Sequence, residues 1–390
     1  MKYNFDELID RHGTGALKTD ILKEKFGRED LISLWIADMD FRTPEIILDA
    51  IKHRLEHPIF GYSCASDSYY RSLVEWEMKC HGWKIAKEEL CFVPGIVKGI
   101  AFVIECFTEK GDGVVVQPPV YMPFLSLPVV DKRKVYFNPL ICKDGNYTMD
   151  LSDLEKTFKE KKPKVMIISN PHNPCGRIWE KAELAALAEL CNKYNVLVIS
   201  DEIHADMPLY GAKHTPFLAS GKDAEKVGIC FCAPSKTFNM AGIVSSFSVV
   251  KNPELRQTFY DFLRGNDFAT PMVLSTVATE AAFTKCDEWH RQCMDYIQAN
   301  IDFVADYLAE NIPQITVVKP HASFLMWLNC TGLGLSHDAL IDLFVNKAHL
   351  ALNDGEDFGP GGEGHMRLNV GCPRSVLAKA MEQLKNAVNS

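Results

Sequence analysis

The stretch VGICFCAPSKTFNMAG, residues 227–242, decides how this chain is read. Its first six residues form an apolar run, which reads as a strand buried on both faces, as in a parallel sheet. A turn-prone group follows, Ala233-Pro234-Ser235, then a single amine, Lys236, and a glycine at 242. A lysine at the mouth of a strand is open to two readings. It is a surface charge whose stem snorkels along apolar neighbours, or a buried nucleophilic amine that forms a Schiff base.

With this run (229–232 at its core), similar apolar runs lie upstream at residues 114–116, 165–168 and 196–199 and downstream at 247–250. Amphipathic stretches separate several of them. One is 180–194 (EKAELAALAELCNKY), with leucine and alanine at helical spacing. The alternation predicts an α/β domain built on a mainly parallel sheet with helices on both faces. Such sheets bind ligands at the carboxyl ends of their strands, and Lys236 sits at such an end.

The C-terminal portion reads differently. A long helix over 271–310 leads to strands at 314–318 and 324–329 and a helix over 338–347. A glycine-rich loop, GPGGEG (359–364), and a short strand at 366–370 follow. This order predicts a smaller α+β domain completed by the N-terminal arm. The expected division is 48–285 for the large domain, and 1–47 with 286–390 for the small one.

Bulk properties narrow the function. With 390 residues, 47% of them hydrophobic, the chain has ample material for a large core. A net charge of -9, with no long block of lysine or arginine, argues against a nucleic-acid partner. No apolar stretch reaches the ~18–20 residues of a membrane helix, and the opening MKYNFDELIDRHG lacks an apolar signal region. The 13 cysteines are odd in number and scattered, with no paired C-x-x-C to hold zinc. Reduced thiols in a cytoplasmic protein are the expectation.

Four further stretches carry pointed chemistry. SNPHNPCGR (169–177) follows an apolar run, and its two Asn-Pro pairs mark a turn. Asn173 either projects its amide into a cleft or forms an Asx turn. In SDEIHAD (200–206), Asp201 and Glu202 end a buried strand, where an unpaired carboxylate is costly. Only one of the two faces a given site, because successive strand side chains alternate. A solvated loop, or a metal site of Asp201, Glu202 and His204, is the competing reading, the metal being the weaker because no other ligand cluster has suitable spacing. In MRLNVGCPR (366–374), Arg367 grips a carboxylate bidentately or makes a surface salt bridge. In VPGIVKGI (93–100), Pro94-Gly95 turns into a helix whose free N–H groups suit a phosphate, although neither G-x-x-x-x-G-K-[ST] nor G-x-G-x-x-G is present. An amine, a helix end and an aspartate together ask for an aldehyde, a phosphate and a ring nitrogen. Pyridoxal 5'-phosphate has all three.

Several stretches in order then carry a resemblance that spans nearly the whole chain. They are LWIADMDFRTPE (34–45), FGYS (60–63), PPVYMPF (118–124), NPHNPCG (170–176), SDEIHAD, APSKTFNMAG and RLNVGCPR (367–374). The chain resembles a fold-type I pyridoxal-phosphate enzyme of the class I/II aminotransferase superfamily, nearest to its MalY/PatB-type cystathionine β-lyase, or C–S lyase, subgroup. The resemblance implies that Lys236 holds the cofactor as a Schiff base and moves the proton at the substrate α-carbon. It implies that Asp201 pairs with the ring nitrogen, Asn173 with the ring oxygen, and Tyr121 stacks on the ring. His204 stands where many relatives carry tyrosine. Ile96 and Val97 would offer backbone N–H groups to the phosphate, with the Ser235 hydroxyl beside them. Tyr62 would reach the phosphate of a second subunit, which implies a homodimer. Arg367 would hold the α-carboxylate of an amino-acid substrate, beside Ala37 and Asn173.

Two positions depart from the aspartate-aminotransferase pattern: Val244 replaces a phosphate-binding arginine, and Ala233 a hydroxyl residue. The implied reaction is β-elimination of cystathionine, cysteine or an S-conjugate to thiol, pyruvate and ammonia. Transamination on the same residues is the alternative, and some relatives of the subgroup act as regulators through other proteins.

Overall fold

The computed structural model describes residues 2–390. Seven strands form one sheet, in the order Leu90–Val93, Ser246–Val249, Gly228–Cys232, Leu197–Asp201, Val165–Ser169, Gly113–Val116, Lys134–Phe137. The last five pair in parallel, and Ser246–Val249 runs antiparallel to both of its neighbours. The four strands at the heart of the parallel part are buried along their whole length. This is why they read as unbroken apolar runs.

Register aligns the carboxyl ends that matter: Ser169 lies opposite Asp201, and Asp201 opposite Phe231. The Lys236 loop leaves from that same edge. The helix Ile96–Phe107 covers one face, starting after Gly95, whose φ of +110° only glycine adopts readily. One turn on, Gly99 lets the helix approach the sheet: a Cβ there would lie 2.7 Å from the Phe231 ring.

A second, antiparallel sheet has the order Thr316–Val317, Leu325–Asn329, His365–Asn369, Asn353–Asp354. The N-terminal arm joins this part of the chain, as Ile32–Ser33 pairs in parallel with Leu350–Ala351. One expectation is corrected here. The helix anticipated over 271–310 is two helices, Val273–Lys285 and Asp287–Asn311. The break falls at Cys286, which leaves helical geometry (φ -104°, ψ 17°) and directs its thiol to the Ala281 carbonyl. Asp287 and Glu288 then supply the acidic first turn that a new helix favours.

Candidate active site

The carboxyl edge of the large sheet opens into a cavity of about 210 Å³. Nine residues anticipated from the sequence line it: Ala37, Ile96, Val97, Tyr121, Asn173, Asp201, His204, Ser235 and Lys236. They arrive on several separate elements. Asp201 ends one strand, Asn173 follows the next, Lys236 follows a third, and Ile96 and Val97 open a helix.

The Lys236 amine donates to the Ala37 carbonyl. Burial pushes its pKa down to about 8, against the pull of Asp38 and Asp201, so a usable neutral fraction exists near neutral pH. Asp201 is buried, and burial raises its carboxyl to about 7 despite the Ile203 N–H bonded to Oδ1 (3.1 Å) and the nearby Lys236 charge. A carboxylate so poorly compensated is poised to accept a cationic partner.

Its neighbour Glu202 faces elsewhere, as strand alternation requires. Glu202 binds His214 (2.9 Å), the Phe217 N–H (2.8 Å), the Ser200 hydroxyl (2.8 Å) and the Cys230 thiol (3.2 Å). His204 Nδ1 meets Ser323 Oγ at 3.1 Å. Burial, with the Lys236 and Arg367 charges, lowers His204 to about 3, so it is a neutral ring. Asp201 and His204 thus face the cavity, while Glu202 is turned away from it.

Arg367 comes from the second sheet, paired in register with Trp327 and Asn353. It is 3% exposed, which excludes the surface salt bridge that the sequence left open. Its Nη1 donates to Asn173 Oδ1 (2.9 Å), and Nη2 to Asn353 Oδ1 (2.6 Å) and the Trp35 carbonyl (3.1 Å). The guanidinium lies over the Phe358 ring at 5.0 Å. Every partner is neutral and Nε has none, and burial lowers its pKa to about 10. Among the described residues no carboxylate pairs with it. A buried cation without a counter-ion is an anion site. The Arg367 bond also answers the question at Asn173, whose side-chain oxygen points to this guanidinium rather than into an Asx turn.

The sequence reading missed Ser245 and Ser246, which also line the cavity. Ser246 begins the antiparallel strand and Ser245 directly precedes it, so the strand's amino end, not its carboxyl end, meets the site. A search confined to carboxyl ends passes over them. Ser245 Oγ is buried without a partner. Val244 lines the cavity as well, so the arginine that it replaces leaves an apolar wall. Tyr62 lies outside the cavity and is fully exposed.

These groups fit a phosphorylated aldehyde with a basic ring. The amine and the carboxylate have been described, and the helix from Ile96 presents its first N–H groups beside the orphaned Ser245 hydroxyl. The sequence profile of aminotransferase class I and II matches residues 29–384. The chain belongs to that family. Within the class I and II family it is 40% identical, over 99% of its length and 100% of the relative's, to cystathionine beta-lyase PatB of Bacillus subtilis (strain 168). Two solved family structures superpose on it. Cystalysin from Treponema denticola, which contains pyridoxal 5'-phosphate, gives a TM-score of 0.96 at 32% identity, covering 100% of this chain and 99% of that one. The PLP-bound C–S lyase from Staphylococcus hominis gives 0.93 at 33% identity with the same coverage. The fold and the subgroup resemblance drawn from the motifs both hold.

Proposed function

We propose that this family member is a pyridoxal 5'-phosphate-dependent C–S β-lyase. It cleaves cystathionine, cysteine or a related S-conjugate to thiol, pyruvate and ammonia. The observation that carries the reaction type is the full-length 40% identity to a cystathionine beta-lyase, seconded by the PLP-bound C–S lyase structure. The cavity supplies parts suited to that chemistry.

Bound there, the cofactor supplies an electron sink conjugated to the substrate α-carbon. Lys236 would hold it covalently and would take the substrate α-proton on Nζ. An amine lowered to about 8 suits that exchange near neutral pH. Asp201 would keep the proton on the ring nitrogen, and Tyr121 would stack on the ring. Ile96, Val97, Ser235 and Ser245 would hold the phosphate, Asn173 would bind the ring oxygen, and His204 lines the same cavity as a neutral ring. Arg367, with Asn173 and Ala37 alongside, holds the α-carboxylate, so the β-substituent is left to depart as thiolate. We also infer a cytoplasmic homodimer, in which Tyr62 reaches the second subunit's phosphate. Residues 48–285 form the cofactor domain, and 1–47 with 286–390 the smaller one.

The test is incubation of the purified protein with cystathionine or cysteine and no 2-oxo acid. Release of pyruvate with thiol is expected. Turnover that begins only on adding a 2-oxo acid would replace the lyase by an aminotransferase.

A further inference from the structure

Residues 35–41 (WIADMDF) have no sheet partner, yet they touch both functional cations of the site. The Ala37 carbonyl accepts from Lys236, and the Trp35 carbonyl accepts from Arg367 Nη2. Two asparagine side chains hold this backbone, and each belongs to the segment carrying one of those cations. Asn239 lies three residues beyond Lys236. Its Oδ1 accepts the Met39 N–H (3.0 Å), and its Nδ2 donates to the Met39 and Phe41 carbonyls (2.9 and 2.6 Å). Asn369 lies two residues beyond Arg367 and is fully buried. Its Nδ2 donates to the Ile36 and Asp38 carbonyls (both 2.6 Å), while its Oδ1 accepts the Gly371 N–H (2.7 Å).

Irregular backbone at a buried site must find partners for its polar groups. An asparagine amide offers two donors and an acceptor in one plane, which lets it stand in for a neighbouring strand. Other anchors are ion pairs and backbone bonds: Arg11 binds Asp38 and Asp40 (2.7 and 2.8 Å), the buried Lys18 binds Asp40 (2.7 Å), and the Asp40 N–H donates to the Gly371 carbonyl (2.7 Å). Lys236 and Arg367 come from different sheets, and this segment is one backbone that both contact.

We propose that Asn239 and Asn369 are positioning residues that fix Lys236 and Arg367 relative to each other through residues 35–41. The proposal rests on the reading of Lys236 as the cofactor amine and Arg367 as the carboxylate site. Asn369 acts at the arginine end and governs how well the carboxylate is held once the amine has reacted. Asn239 acts at the lysine end and governs the amine itself.

The experiment titrates holoenzyme with L-alanine and with ethylamine, following the cofactor's visible absorbance. Alanine carries an amine and a carboxylate but no β-leaving group, and ethylamine lacks the carboxylate. Asn369→Ala takes one donor from each of the Ile36 and Asp38 carbonyls, which keep the Asp38 N–H and the Lys18 amine, and leaves the Gly371 N–H without its acceptor; about a tenfold weaker alanine affinity is expected, with ethylamine within about twofold. Asn239→Ala should weaken both ligands alike. Equal weakening of both ligands by Asn369→Ala, or no weakening, overturns the proposal. Should that variant fail to fold by thermal unfolding, Asn369→Ser, which keeps one donor, decides the matter: a smaller, still alanine-selective loss supports it and wild-type discrimination overturns it. Arg367→Lys separates the two levels. If it fails to weaken alanine selectively, the carboxylate reading is wrong. If it does so while Asn369→Ala does not, only the clamp is wrong.

Discussion

Replacing Asp201 by asparagine should stabilise the cofactor-free protein while damaging the loaded enzyme, and the gain should depend on pH. Asp201 keeps its proton up to about 7 in the folded chain, against an ordinary carboxyl value of 3.8. Between those values unfolding releases a proton, so its contribution to stability worsens as pH rises and levels off above about 7. At roughly 1.4 kcal/mol per pKa unit, the penalty is about 1.7 kcal/mol at pH 5 and about 4 kcal/mol at pH 8. Asparagine has the same shape, can still accept the Ile203 N–H, and does not ionise. Urea unfolding of both apoproteins at pH 5 and pH 8 reads this contribution, because titrating groups that do not interact with Asp201 cancel in the difference and Lys236 is the nearby cation that does. Asp201→Asn should gain about 2.5 kcal/mol more at pH 8 than at pH 5. A difference that does not change with pH, or a variant less stable than the parent at pH 8, would refute the view that Asp201 is strained until a cation arrives. Such a cost, retained in the folded chain, is what a site preformed for a charged ring would carry.

Other outcomes follow from neighbouring features. Burial alone would raise Glu202, but His214, the Phe217 N–H and Ser200 hold its carboxyl below the usual range. Its stabilisation is present at neutral pH and is lost as pH falls through the lowered value. Glu202→Ala, which leaves the buried His214 ring, the Phe217 N–H and the Ser200 hydroxyl without their acceptor, should cost about 2–3 kcal/mol in urea unfolding at pH 7; a loss under about 1 kcal/mol would contradict this. Gly99→Ala puts a methyl 2.7 Å from Phe231 and should cost about 1–3 kcal/mol of stability. An unchanged melting temperature would show that the helix can retreat. Tyr62→Ala should speed loss of cofactor on dialysis without lowering the stability of the apo chain, because the ring is fully exposed in one subunit. Equal retention by the variant and the parent would count against a shared site.

The central sheet was legible because its strands are buried on both faces and so appear as apolar runs. Lys134–Phe137, half exposed at the sheet edge, gave no such run and was passed over; so was the short buried strand Leu90–Val93 at the other edge. Lys236, Asp201 and Asn173 were legible as polar residues directly after those runs, where a buried charge needs a reason. The pocket serines were not, because one strand runs the other way and brings its beginning to the site. The break at Cys286 was hidden inside continuous helical periodicity. Residues 35–41 entered the reading only through family resemblance, since their contacts to Lys236 and Arg367 are made by backbone carbonyls, which no residue type announces. Residue type alone does not separate Asp201 from Glu202, which only the family resemblance told apart. The two adjacent carboxylates have opposite surroundings, and the fold shows that Glu202 is the fully partnered one.

The most direct test of the account is to reduce the holoenzyme with borohydride, which fixes the cofactor to the amine that holds it, and to map the labelled peptide by mass spectrometry. The account predicts one label per chain, on the peptide bearing Lys236, and none in Lys236→Ala. A label on another lysine, or an unlabelled chain that still shows the bound cofactor's colour, would contradict it.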